Sequence, residues 1–183
     1  MTTIKKKAIK KVYVVINPFS GSAKNNFPFL NFLLGIKTHI QKTLSHEEVI
    51  KIISKEFSRY NVELSSFVTQ DKFHATQIAK EAVKKDVDVI IAVGGDGTIN
   101  EVINGIANTK VILAVIPYGT ANLFCIEFNY LKKIEEICLK VMQGNYKKID
   151  LGKVNEKYFA CMVGIGFDAY VIKKADRYLK QIY

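Results

Sequence analysis

Residues 87–106 read VDVIIAVGGDGTINEVINGI. Val87 to Val93 is an almost unbroken apolar run, as expected of a strand covered on both faces. Gly94-Gly95-Asp96-Gly97-Thr98 follows, too rich in glycine and small polar residues to continue it. Ile99, Val102, Ile103 and Ile106 then recur at helical spacing. A buried strand, a glycine turn and an amphipathic helix in succession make the first half of a βαβ unit.

Working outward, the same alternation repeats. Val12 to Ile16 is a short buried strand that ends in the loop Asn17-Pro18-Phe19-Ser20-Gly21-Ser22. Ser45-His46-Glu47-Glu48 has the spacing of a capping box, and Val49, Ile52, Ile53 and Phe57 continue as a helix. Val62 to Val68 is strand-like, and Ala75, Ile78, Ala79, Ala82 and Val83 form a helical stripe. Val111 to Ile116 is a further buried strand, stopped by Pro117. Ala121 to Phe128 and Ile134 to Met142 read as helices, with Gly144 placed for a C-terminal cap. The order strand–helix, four times over, predicts an α/β fold: a three-layer arrangement with a parallel sheet and helices on both faces. After Lys148 the pattern changes. Ile149 and Leu151, a turn at Asn155-Glu156, and Tyr158 to Val163 predict a β-hairpin, which puts a domain boundary between residues 148 and 149. The dense apolar stretch from Phe27 to Ile36, broken by Pro28 and Gly35, is either packed on the core or set against a membrane.

About half of the 183 residues are apolar (49%), enough to exclude a disordered chain. The net charge of +10 favours an anionic partner: a nucleotide, an acidic lipid surface or nucleic acid. Lys5-Lys6-Lys7, with Lys10 and Lys11, is either a solvated tail or a dock for an anionic leaflet. Cys125, Cys138 and Cys161 lack metal-ligand or disulfide-framework spacing, which fits a reducing compartment. No signal peptide is apparent, and no apolar run approaches the roughly 20 residues of a membrane span. His39, His46 and His74 show no metal-ligand spacing. Gly164-Ile165-Gly166-Phe167-Asp168-Ala169 has dinucleotide-motif spacing but no acidic residue about 20 positions on, so it carries no dinucleotide reading.

Ligands of open α/β sheets lie outside the carboxyl ends of the strands. Three loops fall there: Asn17 to Ser22, Gly94 to Thr98, and Pro117-Tyr118-Gly119-Thr120-Ala121-Asn122. Their glycines let the backbone approach a ligand, and successive N–H groups beside a helix N-terminus cradle phosphate. Asp96 stands out, because a carboxylate repels phosphate unless a cation or a proton transfer explains it. Mg²⁺ is one explanation; accepting a proton from a substrate hydroxyl is the other. Plain structural roles compete. Thr98 and Glu101 have capping-box spacing, and Thr69 is placed to cap the following helix.

Gly94-Gly95-Asp96-Gly97-Thr98-Ile99-Asn100-Glu101-Val102-Ile103-Asn104-Gly105 resembles the signature of diacylglycerol kinase catalytic domains, a family that includes the sphingosine kinases. The Gly-Gly-Asp-Gly-Thr core also occurs in NAD kinases, but Asn17 to Gly21 and Pro117 to Asn122 match the lipid kinases. Ile149-Asp150-Leu151-Gly152 and Gly164 to Asp168 resemble the start of that family's β-rich second domain. The resemblance implies an ATP-binding α/β domain over residues 1–148, an incomplete β-rich domain over 149–183, and transfer of the γ-phosphoryl group to a lipid hydroxyl. It implies ATP contacts at Asn17, Pro18, Phe19, Ser20, Gly21, Thr69, Gly94, Gly95, Asp96, Gly97, Thr98, Ile99, Asn100, Glu101, Gly119, Thr120 and Asn122. Asp96 would be catalytic and tied to Mg²⁺. The expected partner is a lipid at an anionic membrane, with no nucleic acid, in a cytoplasmic protein that is peripheral at the inner face; a homodimer is left open. Leu123 stands where many members carry Asp, which leaves the acceptor undefined. Family enzymes also draw an acidic residue and a structural Mg²⁺ site from the second domain, so a non-catalytic nucleotide-binding module and a soluble-substrate kinase of the NAD kinase type are the alternatives.

Overall fold

A computed structural model of the chain describes residues 5–20, 44–119, 121–130, 132–167, 169–171 and 173–174. The stretch from Phe27 to Ile36, and Gly21, His39, Thr120 and Asp168, lie outside the described residues. In chain order the elements are β1 (Lys5–Lys6), β2 (Lys11–Ile16), α1 (His46–Phe57), β3 (Glu63–Val68), α2 (His74–Lys84), β4 (Val89–Gly94), α3 (Asp96–Ile106), β5 (Ile112–Pro117), α4 (Leu123–Glu127), α5 (Ile134–Gln143), β6 (Asn145–Tyr146), β7 (Gly152–Val154) and β8 (Lys157–Phe159).

Four strands form one parallel sheet in the order β3-β2-β4-β5. Val14 sits at the centre of the register, opposite Ser66 on one side and Ile91 on the other. Alternate strand residues supply two cores. Val12, Val14, Ile16, Val89, Ile91 and Val93 pack beneath α1 and α5, through Val49, Ile53, Phe57, Ile137 and Val141. Tyr13, Val15, Ile90 and Ala92 pack on the opposite face beneath α2 and α3, through Ala75, Ile78, Ala79, Val102 and Ile103. The sheet is therefore covered on both sides, as the unbroken apolar runs require. Every residue of β4 is buried.

Local signals act where they were read. Ser45 accepts the Glu48 N–H while Glu48 Oε2 accepts the Ser45 N–H, which completes the capping box of α1. Gly144 ends α5 at φ 67°, a left-handed cap that a side chain would strain. Other elements depart from their patterns. The helix read over Ala121 to Phe128 is confined to the five residues of α4. The first hairpin strand is Gly152–Val154, so Ile149 and Leu151 lie outside it, and the second stops at Phe159; Ala160 to Met162 leave the strand to line a cleft. The lysine run lies at the amino ends of the strands. Lys7 pairs with Asp88 at 2.9 Å and Lys11 with Glu63 at 3.2 Å, about 20 Å from the ligand-facing ends by the rise of a six-residue strand. β1 pairs antiparallel with β6, which brings Lys5 and Lys6 beside Asn145 and Tyr146. Among the described residues no helix is long and apolar enough to cross a membrane.

Candidate functional site

The connection from β2 runs outward to β3 and then returns past β2 to β4. The carboxyl ends of β2 and β4 thus flank the point where the strand order reverses, the usual place for a ligand in such sheets. Asn17 and Gly94 stand there.

Asn17 organises the first loop. Its N–H donates to the Val93 carbonyl at 3.0 Å, and its Oδ1 accepts the Phe19 N–H at 2.9 Å. Its carbonyl accepts the Ser20 N–H at 3.2 Å, so Asn17 to Ser20 form a turn with Pro18 in the second position that suits proline. The Asn17 Nδ2 donates to Thr98 Oγ1 at 3.1 Å, across 81 residues of chain. Phe19 is left 74% exposed on the rim.

The second loop opens α3. Gly95, not Thr98, is the N-cap, and no side chain caps this end. Thr98 is buried in the first turn with its hydroxyl bound to Asn17. The capping-box role considered for Thr98 and Glu101 is therefore absent. Gly95 donates to Ser20 Oγ at 3.4 Å. The N–H groups of Asp96, Gly97 and Thr98 have no acceptor among the described residues. A Cβ on Gly97 would meet nothing within 4 Å, so this face is open. Open N–H groups at the positive end of a helix form an anion cradle.

The third loop closes on the second by backbone contact. A Cβ on Gly119 would come within 2.5 Å of the Gly95 Cα, so that position needs glycine; one on Gly95 would stand 3.2 Å from the Gly119 Cα, a tight contact that the facing backbone must yield to by a few tenths of an ångström. Tyr118 donates its N–H to the Gly94 carbonyl at 3.0 Å. Asn122, at φ 52°, folds its amide back on Gly119, accepting its N–H at 2.9 Å and donating to its carbonyl at 2.8 Å.

Asp96 joins the two loops. Its Oδ2 accepts the Leu123 N–H at 3.0 Å and its Oδ1 the Phe124 N–H at 2.9 Å. The carboxylate is thus the cap of α4, a role that a spacing of 27 residues concealed. Each carboxylate oxygen has a second lone pair, so the group keeps acceptor capacity towards a cation. Among the described residues no three His, Cys, Asp or Glu side chains gather to hold a metal. Mg²⁺ fits such a place only in its usual manner, on one carboxylate with water and substrate phosphates completing six oxygens.

Thr69 does not cap α2. That helix starts at His74 with Phe73 as N-cap, while Thr69 is buried beside β2 and donates its N–H to the Ile16 carbonyl at 2.8 Å. Glu101 reaches sideways: its Oε1 accepts the Phe73 N–H at 3.0 Å and holds Phe73 at φ 68°. Ile99 buries its side chain in the core, and Gly94 packs against Thr98. Asn100 is exposed on α3 and faces the neighbouring cleft.

That cleft, about 250 Å³, was not anticipated. It adjoins Asp96, Gly97 and Asn100 at one side and is otherwise mostly apolar: Ile103 from α3, Leu123 and Phe124 from α4, and Phe159 to Met162 from the hairpin's end. Cys161 lies on its wall, and burial, with the Asp96 and Glu127 carboxylates nearby, pushes its thiol up. Asp96 therefore stands between open helix amides and an apolar cleft. Sequence reasoning named the amide side and missed the cleft, whose wall residues carry no motif.

Residues 11–154 match the family model described as the diacylglycerol kinase catalytic domain. The chain is 34% identical over 161 residues to a diacylglycerol kinase of Bacillus subtilis strain 168, covering 86% of this chain and 46% of that protein. It is 36% identical over 129 residues to a diacylglycerol kinase of Staphylococcus haemolyticus, covering 69% and 39%. A crystal structure titled as a diacylglycerol kinase from Bacillus anthracis strain Sterne superposes with a TM-score of 0.59 at 28% identity, covering 84% of this chain and 47% of that one. The chain spans less than half the length of each of these three relatives. With a family model matched across the whole sheet and all three loops, the chain belongs to the diacylglycerol kinase catalytic domain family.

Proposed function

We propose that this chain is the nucleotide-binding part of a lipid kinase that transfers the γ-phosphoryl group of ATP to a lipid hydroxyl. The observation that carries the proposal is the position of Asp96, with open N–H groups of α3 on one side and an apolar cleft on the other. ATP phosphates lie against the amides of Asp96 to Thr98, backed by the turn at Asn17 to Ser20 and by Gly119. Thr69 and Asn122 shape the flanks. Mg²⁺, when bound, offsets charge on the phosphates from the Asp96 side.

The chain's own residues exclude water and orient the partners. The paired glycines bring two loops into contact, and the α3 dipole stabilises the anionic phosphate. Asp96 accepts hydrogen bonds where the acceptor hydroxyl would approach, so it is placed either to take that proton or to hold the cation. Ile103, Leu123, Phe124 and Met162 give the acceptor's apolar part a surface, which favours a lipid over a soluble acceptor of the NAD type. The net charge of +10 draws the protein to an anionic leaflet, making it a cytoplasmic protein peripheral at the inner face.

Calorimetric titration with ATP, with and without Mg²⁺, tests the nucleotide half. Saturable, Mg²⁺-sensitive binding that Asp96→Ala weakens is expected. Transfer from labelled ATP to diacylglycerol in anionic mixed micelles tests the rest. Binding without transfer to any lipid would leave a nucleotide-binding module and overturn the kinase reading.

A further inference from the structure

Helix α3 carries a polar residue every fourth position: Asp96, Asn100 and Asn104, with Asn108 just past its end. Residues four apart share a helix face, so the line runs from the phosphate-facing end towards the hairpin. The roles divide along it. Asp96 caps α4, and the Asn100 carbonyl accepts the Asn104 Nδ2 at 2.8 Å. Asn104 then bonds both main-chain groups of one hairpin residue: its Oδ1 accepts the Tyr158 N–H at 2.9 Å and its Nδ2 donates to the Tyr158 carbonyl at 2.9 Å. Asn108 Nδ2 donates to the Tyr158 hydroxyl at 2.8 Å.

Asn104 thus does for β8 what a neighbouring strand would do. It satisfies the outward edge of Tyr158, whose other flank lies opposite Lys153 of β7. Apolar packing of Tyr158 and Leu151 on the α2–α3 core holds the hairpin near the helix but does not fix its register. A two-way bond to one residue does, because a slip of one position would offer the amide the wrong groups and turn the next side chains over. Those next residues, Phe159 to Met162, are the wall of the cleft that faces Asp96, Asn100 and Ile103. Glu101 adds a brace from the same helix: it holds Phe73, whose ring lies 5.5 Å from the Lys157 ammonium.

We propose that Asn104 is a positioning residue: it registers the wall Phe159–Met162 against Asp96 and so sets affinity for the acceptor without touching the nucleotide. The acceptor part rests on the lipid-kinase reading above; the positioning part does not. Asn104 lies eight residues beyond Asp96, about 12 Å along the helix, too far to act on the reacting atoms directly.

The test is Asn104→Leu, which removes both bonds while favouring the helix, and Asn104→Ala, which removes both with a smaller side chain. Both are made in the full gene product. Amide exchange is read at Tyr158 to Met162, beside the ATP dissociation constant and the KM for dioleoylglycerol in mixed micelles. Loss of two hydrogen bonds should speed exchange at Tyr158 and raise the acceptor KM, each by about tenfold, with ATP affinity within about twofold of wild type. Unchanged exchange overturns the proposal, as does faster exchange with an unchanged acceptor KM. A loss of ATP affinity in step with the KM would show a general structural role and overturn it as well. Should Asn104→Leu fail to fold, Asn104→Ala decides. A wild type that phosphorylates no lipid defeats the kinase reading by itself; exchange then decides the positioning, sustained if faster only over residues 158–162 and overturned otherwise.

Discussion

Replacing Asp96 by Asn separates its structural role from its chemical one. The carboxylate offers one oxygen to the Leu123 N–H and the other to the Phe124 N–H, at 3.0 and 2.9 Å. An amide keeps one oxygen and sets an NH₂ group against the second N–H, so one charge-assisted bond is lost and two donors face each other. A hydrogen bond to a charged group is worth about 1.5–3 kcal/mol, and the anion at a helix N-terminus about 0.5 kcal/mol more. Partial exposure of the group cuts that sum, leaving about 2 kcal/mol. For a chain of this size that is a fall in Tm of about 4–8 °C. The chain has no Trp, so urea and thermal unfolding are followed by circular dichroism. Asp96→Asn should unfold earlier and lose phosphoryl transfer together. Unfolding free energy unchanged within about 0.5 kcal/mol would refute the cap, leaving the carboxylate to chemistry alone.

Gly119→Ala places a Cβ 2.5 Å from the Gly95 Cα; because the clash is with backbone, the loops must part. A loss of about 1–3 kcal/mol in urea unfolding and weaker ATP binding by calorimetry are expected. Asp88 gives a pH signature. Burial pushes its carboxyl up, but the Lys7 ammonium and the N–H groups of Lys10 and Lys11 outweigh that and hold it below the ordinary carboxylate value. A pKa lower in the folded state stabilises above the unfolded value and is lost as pH falls through the folded one. The stability gap between wild type and Asp88→Asn should stay constant from about pH 5 to 8 and close below about pH 4, as measured by urea unfolding across that range.

What the sequence made legible is local. The run Val12–Ile16, and Val87–Val93 from its third residue on, became buried parallel strands, Ser45 and Glu48 closed their box, and Gly144 took the left-handed cap. The three glycine-bearing loops were also legible, since turn chemistry is written in neighbouring residues. The strand order was not, because β2, β4 and β5 are apolar runs of much the same composition and nothing local says which of them pair. The roles of polar residues were hidden for a related reason. Thr98 and Glu101 have the spacing of a local cap, but their partners are Asn17 and Phe73, brought in by packing. Tyr158 to Val163 reads as a strand from its apolar content, but the strand stops at Phe159 and Ala160 to Met162 turn to the cleft instead. The four-residue spacing of Asp96, Asn100, Asn104 and Asn108 was a visible signal on a helix otherwise striped with Ile and Val.

That spacing gives α3 a mechanical meaning. Its amino end carries the open N–H groups, its first residue ties the segment that follows the third loop, and its second half holds the hairpin. For one helix to set all three distances it must not rotate or slide, and its neighbour prevents both. Gly105 lies so close to α2 that an added Cβ would stand 2.4 Å from the Ala79 Cβ, and Thr76 Oγ1 donates to the Glu101 carbonyl at 2.9 Å. A close helix contact with a side-chain bond across it leaves few low-energy alternatives, because packed interiors resist small displacements. The open amides and the cleft wall are therefore held from one rigid body, fastened to the sheet through Ile99, Val102 and Ile103. On the proposed kinase reading, such a site loses transfer when either fastening slips, even if each side keeps its own contacts, since reaction depends on the distance between them.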